Sequence, residues 1–276
     1  MKPSIGGALA LSAALLWHLD ASADCARQYF VYGEQAVYLA DRVQIGRGPV
    51  GARQSAELGV GTRMQGDLVA PRITLRNNAI LNGTAYATNP ITLGAGAKIL
   101  IKTAPIGAEQ NCTSPAVPTV NPGTGSNVID EPFELPPGRY GSIQVVAGGT
   151  LVVTTGEYHF QSLKFESDSS LVVMWQGGPA KLLARDLVTF GDRHEQTIVG
   201  GRGNDTPNAV EVLSRQTALL RLGTDARILS RILAPFAEVS VPSRTTVYAP
   251  LYGKVVRVDP DSVIGQPVAS TPNVCL

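Results

Sequence analysis

The chain has 276 residues, with 23 Lys and Arg against 22 Asp and Glu, for a net charge of +1. A near-neutral chain lacks the electrostatic footprint for nucleic acid or an anionic membrane surface. Charged residues make up only 16% of it and glycines number 29, a balance that disfavours charged helices and points to an all-β fold.

In chain order, the first element is a short export signal. Lys2 precedes an almost wholly apolar run over residues 5–19, and Ala21-Ser22-Ala23 supplies the small residues of a cleavage site. This is the layout of a secretory signal peptide over residues 1–23, and the run is too short for a transmembrane helix. Asp24 before Cys25 argues against lipidation. The mature protein is expected in the periplasm, on the cell surface or secreted, with no membrane span after cleavage.

Residues 24–103 read as the first repeat region. Segments starting at Ala56, Ile73 and Ile91 lie 17 and 18 residues apart. Leu58, Leu75 and Leu93 align, as do Thr62, Ala79 and Ala97, then Met64, Leu81 and Ile99. Gly66 matches Gly83. Residues 104–137 hold seven prolines among residues 105–137, which marks a loop or linker. Residues 138–265 resume the pattern, with a 19-residue step that aligns Leu222 with Val241, Ile228 with Val247, Ile232 with Leu251, Phe236 with Val255 and Val239 with Val258. Within that stretch, residues 191–207 read as a polar loop, and 266–276 form a tail.

A period of 17–19 residues with two or three strand pieces is one rung of a parallel β-solenoid. One rung cannot bury its inward side chains, whereas stacked rungs turn each column into a continuous apolar ladder. The expected fold is therefore an all-β, right-handed parallel β-helix with a Pro-rich insertion. A β-sandwich also gives many short strands but predicts no aligned columns.

The cysteines are Cys25, Cys112 and Cys275. In an exported protein they imply one disulfide rather than a metal site. The pairing stays open, although the ends of a solenoid lie far apart and each end cysteine reaches Cys112 more easily.

The remaining motifs favour ordinary turns and solvated faces. Residues 46–51 fit GxGxxG, but β-type segments follow in place of the helix that a dinucleotide would need. Residues 200–205 fit one copy of a GGxGxD calcium turn, where stacked copies are required. Glu166 with Asp168, and Asp259 with Asp261, share strand faces without forming a catalytic cluster. His159 is expected to point outward between Tyr158 and Phe160, and His194 to lie in the polar loop. Asn82, Asn111 and Asn204 fit the glycosylation pattern. No cofactor, metal or catalytic residue is assigned.

Residues 156–160 (GEYHF), 232–237 (ILAPFA) and 247–250 (VYAP) resemble the pGxYxF and iyAPxA elements of an uncharacterised family of bacterial extracytoplasmic β-helix domains. The rung pattern is also similar to that of the polymer-forming, cytoplasmic bactofilins. The resemblance implies a right-handed β-helix with a non-enzymatic, extracytoplasmic role and no catalytic residues. The expected function is a structural or interaction protein of the bacterial envelope or exterior, with surface-protein partners or self-assembly. The alternative is a carbohydrate-binding or polysaccharide-cleaving β-helix, with Trp175, Tyr248 and Tyr252 stacking on sugars.

Overall fold

The structure, a computed structural model, describes residues 25–46, 48–105, 112–200 and 209–265. The signal peptide, the tail with Cys275, Asn111, Asn204 and most of the calcium-like motif lie outside the described residues.

A short helix, α1 (Cys25–Gln28), leads into the first rung, formed by β1 (Val31–Leu39) and β2 (Gln44–Ile45). The next rung is β3 (Val50–Ala52), β4 (Ser55–Leu58) and β5 (Arg63–Gln65), followed by β6 (Leu68–Val69), β7 (Arg72–Leu75) and β8 (Ile80–Asn82). Then come β9 (Thr84–Ala87), β10 (Thr92–Leu93) and β11 (Lys98–Ile99), and the partial rung β12 (Lys102–Pro105). After the Pro-rich segment, β13 (Ser126–Ile129) and β14 (Pro132–Leu135) begin the second half. It continues through β15 (Gly138–Val145) and β16 (Thr150–Thr154), then β17 (Gly156–Phe165) and β18 (Ser170–Met174). The rest are β19 (Ala180–Thr189), β20 (Glu195–Val199), β21 (Val210–Ser214), β22 (Leu220–Arg221), β23 (Arg227–Ile228), β24 (Arg231–Val241), β25 (Thr246–Val247), β26 (Leu251–Val258) and β27 (Val263–Ile264).

The pairings described are parallel, rung on rung. Long strands turn a corner midway. Val31–Gly33 of β1 pair with β3, whereas Ala36–Leu39 pair with β4. This gives a first and a second face, and the short strand after the next turn gives a third. The protein is a right-handed parallel β-helix of three faces, the hand expected of parallel crossovers. Its interior is one continuous column set, mainly of Val, Leu, Ile and Phe, buried except at the two ends of the stack. The expected columns are present: Leu58, Leu75 and Leu93 stack, as do Met64, Leu81 and Ile99.

The rungs do not stack in chain order. One sheet runs β12-β9-β6-β3-β1-β26-β24-β21-β19-β17-β15-β13, and the other runs β11-β8-β5-β2-β27-β25-β23-β20-β18-β16-β14. The chain starts in the middle of the stack and climbs to one end at β12. It then restarts at the opposite end with β13 and winds back until β26 and β27 dock on β1 and β2. Both halves advance along the axis in the same sense, so a single seam, β26 with β1 and β27 with β2, joins them. Against the expectation that the ends of the solenoid lie far apart, the last described strand docks beside the first rung, with Ile264 paired with Ile45.

Three details differ from the sequence reading. Residues 126–135 are strands, not linker, because Val128, Ile129, Phe133 and Leu135 supply a strand pattern that the flanking prolines mask. Residues 195–199, expected in a loop, form β20 despite the polar Glu195, Gln196 and Thr197. Phe236 does not stack on Val255. Beyond Ala234 the register against β26 shifts so that Glu238 meets Val255, and Val239 meets Val256 in place of Val258. Pro235 has no N–H to give to the ladder, so the chain bulges there and leaves Phe236 48% exposed.

Candidate functional site

Residues 106–125 must carry the chain from one end of the stack to the other. That is eleven strand spacings, or about 53 Å at ~4.8 Å each. Twenty residues reach at most ~70 Å fully extended, so the connection has little slack. Its prolines, Pro115, Pro118 and Pro122, lie in the described part and favour an extended chain there.

The described part of this strap, residues 112–125, lies along the first face. Cys112 forms a disulfide with Cys25, which settles the pairing. Ser114 Oγ donates to Glu34 in β1. Farther along, the Asn121 N–H donates to His159 Nδ1 at 3.3 Å and the Gly123 N–H to the Tyr140 carbonyl at 3.0 Å. Beneath the strap is an outward column in continuous register: Tyr32, Tyr252, Leu233, Leu213 and Leu183. With Tyr29, Val120 and the disulfide these form a second, separate apolar cluster, and Val117 packs against it. Glu34 anchors the start of the strap. It accepts from the Tyr252 hydroxyl and lies 3.1 Å from Arg53. The Tyr32 hydroxyl has a raised pKa, from burial first and the nearby Glu34 second.

The corner between the second and third faces carries charge. Successive rungs place Asp168, Arg193, Asp225, Arg244, Asp261 and Arg42 at one left-handed position, with φ between 56° and 63°. Each arginine grips one aspartate with two hydrogen bonds: Arg193 on Asp168 at 2.6 Å, Arg244 on Asp225 at 2.7 Å, and Arg42 on Asp261 at 2.7 and 2.8 Å. The arginine hydrogen bond holds each of these aspartates below the ordinary carboxylate range. The last pair crosses the seam between the two halves. Left-handed backbone costs a non-glycine residue roughly 1–2 kcal/mol, and Asp and Asn tolerate it best. The ion pairs give the arginines a reason to sit there.

Just inside this corner, Ser169, His194, Thr245, Ser262 and Thr62 are buried. The hydroxyls bond backbone carbonyls, as Ser169 does to Glu166 at 2.6 Å. That donation leaves Ser169 Oγ to accept from His194 Nδ1 at 3.1 Å, so Nδ1 carries the proton and Nε2 is a bare acceptor. The ring packs 4.6 Å from Phe165 and 5.1 Å from Phe190. Burial drives its pKa down to about 3. Two residues on, Gln196 Oε1 accepts from Leu229 N, Ser230 N and Ser230 Oγ at 2.7–2.9 Å. Among the described residues, His194 Nε2 and Gln196 Nε2 find no partner.

A surface groove of about 560 Å³ lies at the seam on the second face, lined by Tyr38, Asp41, Glu57, Arg76, Arg257 and Asp259 among others. The Arg257 guanidinium lies 4.9 Å over the Tyr38 ring and 3.1 Å from Glu238. Arg76 pairs with Glu57 at 2.6 Å.

The other residues singled out by sequence do not converge. Glu166 is held by Lys164 at 3.1 Å and Gln144 at 2.6 Å, Asp168 and Asp261 belong to the corner ladder, and Asp259 lines the groove. His159 does point outward, with Tyr158 and Phe160 buried on either side, but the strap covers it. His194 lies in the turn before β20, as expected, but its side chain is buried in the core. Trp175, Tyr248 and Tyr252 form no shared platform. Tyr252 is 2% exposed beneath the strap and offers no ring to a sugar. Tyr248 is taken up by Arg227 at 5.5 Å, and Trp175 packs against the core three strand spacings away. Sequence reasoning missed the strap-covered trough. Its signal was the doubled apolar pairs Leu182-Leu183, Val212-Leu213, Ile232-Leu233 and Leu251-Tyr252, which break strand alternation on both sides of the sheet.

No family model and no curated protein matches this chain. Among solved structures it is similar to an ice-binding protein of the Antarctic ascomycete Antarctomyces psychrotrophicus, with 12% identity over 87% of this chain and 95% of that one, at a TM-score of 0.40. It is also similar to an ice-binding protein from an Arctic yeast, with 13% identity over 91% and 96% of the two chains, at a TM-score of 0.36. Likeness at this level carries nothing about what this chain binds.

Proposed function

We propose that the protein is a non-enzymatic scaffold of the bacterial envelope or exterior that works by presenting the faces and ends of a rigid stack. The observation that supports this most is the pairing of its charges. In the corner ladder Asp168, Asp225 and Asp261 are each held by an arginine of the neighbouring rung, which keeps them ionised, and Glu166 is held by Lys164 and Gln144. A general acid needs a raised pKa, and the corner ladder lowers those of its aspartates. The Cys25–Cys112 disulfide fits an oxidising compartment outside the cytoplasm. In-cell crosslinking of the mature protein, followed by identification of what it captures, tests the reading. Specific envelope or surface proteins, or further copies of this chain, are expected. Turnover of any polysaccharide in a reducing-end assay contradicts the scaffold role.

The seam groove favours a second reading, glycan binding. The groove sets Asp41 and Asp259 beside the Tyr38 ring, one side of which lies under Arg257, so that a ring edge and hydrogen-bonding groups of the kind a sugar uses stand together. Binding on a glycan panel that is lost in Tyr38→Ala supports it, and silence across the panel removes it.

A further inference from the structure

Among the described residues the two ends of the stack are open on the second and third faces, while at the β13 end strap residues Gly123 and Gly125 bond the first-face edge of β15. At one end, β10, β11 and β12 each pair on one side only among the described residues, with β7, β8 and β9. Leu93, Leu100 and Ile101 are exposed there, by 51%, 55% and 66%. At the other end, β13 and β14 likewise pair only with β15 and β16. Val128 is 66% and Phe133 45% exposed, and a shallow groove runs over residues 126–133. Unpaired, apolar sheet edges are templates for another strand, and soluble proteins ordinarily blunt them.

Three observations select the occupant. First, both halves wind in the same sense, so only the opposite end of a second copy offers parallel strands in the right direction. Second, the inward columns run the length of the molecule and stop at matching residues. On the second face the column ends at Leu93, beside Leu75, and at Ile129, beside Val145. On the third face it ends at Ile99, beside Leu81, and at Phe133, beside Leu151. Third, the charges are complementary. Residues 84–105 carry Lys98 and Lys102 with no acid, whereas residues 126–135 carry Asp130, Glu131 and Glu134 with no base. Two like ends would meet antiparallel, with like charges opposed.

We propose that the molecule assembles head to tail, the Leu93–Ile101 end of one copy stacking on the Val128–Phe133 end of the next. The contact places Leu93 beside Ile129 and Ile99 beside Phe133. It is heterologous and does not close on itself, so it builds an open filament. This rests on the scaffold reading and deepens it by naming the partner.

The test uses the mature protein and two surface variants at opposite ends, Ile101→Lys and Val128→Lys, with circular dichroism confirming that both fold. Sedimentation and electron microscopy of the unmodified protein should show species that lengthen with concentration. Each variant alone should remain monomeric. The two variants mixed should form a one-to-one dimer and nothing larger, because each retains the end that the other lacks. A variant that still polymerises or forms homodimers overturns the inference, as does an unmodified protein that stays monomeric throughout a concentration series. In the last case, specific envelope crosslinks would leave the scaffold reading standing without the filament.

Discussion

His194 shows what one buried residue costs this core. Its folded pKa of about 3 lies below the unfolded value of 6.5. As pH falls, the unfolded chain therefore takes up a proton first, and stability is full above about 6.5 and declines toward 3. Between pH 6.5 and 5, where carboxylates contribute little, the loss should be about 1.5–2 kcal/mol. Urea unfolding across that window should show the slope, and His194→Leu should flatten it. Gly83 marks a different limit. A Cβ there would fall 2.0 Å from the Gly66 carbonyl oxygen one rung away, so Gly83→Ala should lose about 1–3 kcal/mol through overpacking. The Gly66–Gly83 match was visible as an aligned repeat. The burial of His194 was not, because Asp192, Arg193 and Glu195 around it read as a polar loop.

The strap is the element that the sequence half revealed. Its prolines identified an irregular segment, but composition says nothing of where such a segment goes. Its route is set by an apolar column that only stacking assembles, since Tyr32, Leu183, Leu213, Leu233 and Tyr252 are scattered in sequence and come together by register. The disulfide fixes the strap beside the first rung and closes a loop of sequence separation 87. Replacing Cys25 and Cys112 by serine should lower the unfolding free energy by about 4.6 kcal/mol in the chain-entropy view. It should also open residues 112–125 to limited proteolysis while the stack still folds. Val120→Asp, which puts a charge into the trough with the disulfide intact, should expose the same segment and raise binding of a hydrophobic dye.

For the whole molecule, residue columns were legible and rung order was not. Periodicity tells which residues share a column because every rung repeats the same inward positions. For the same reason any rung can stack on any other, so the repeat is blind to the order in which they do. The order follows from the strap, which carries the chain past the first half and forces the second half to return to it. The seam this creates joins the first and last rungs of the chain. Gln44 and Val263 face outward on adjacent parallel strands there, while a stack in chain order would hold them at opposite ends. The most direct measurement is peptide mapping of the oxidised monomer carrying Gln44→Cys and Val263→Cys. An intramolecular disulfide between these positions in high yield is the predicted result. Cysteines that stay free in the monomer, or that link only between molecules, would contradict it.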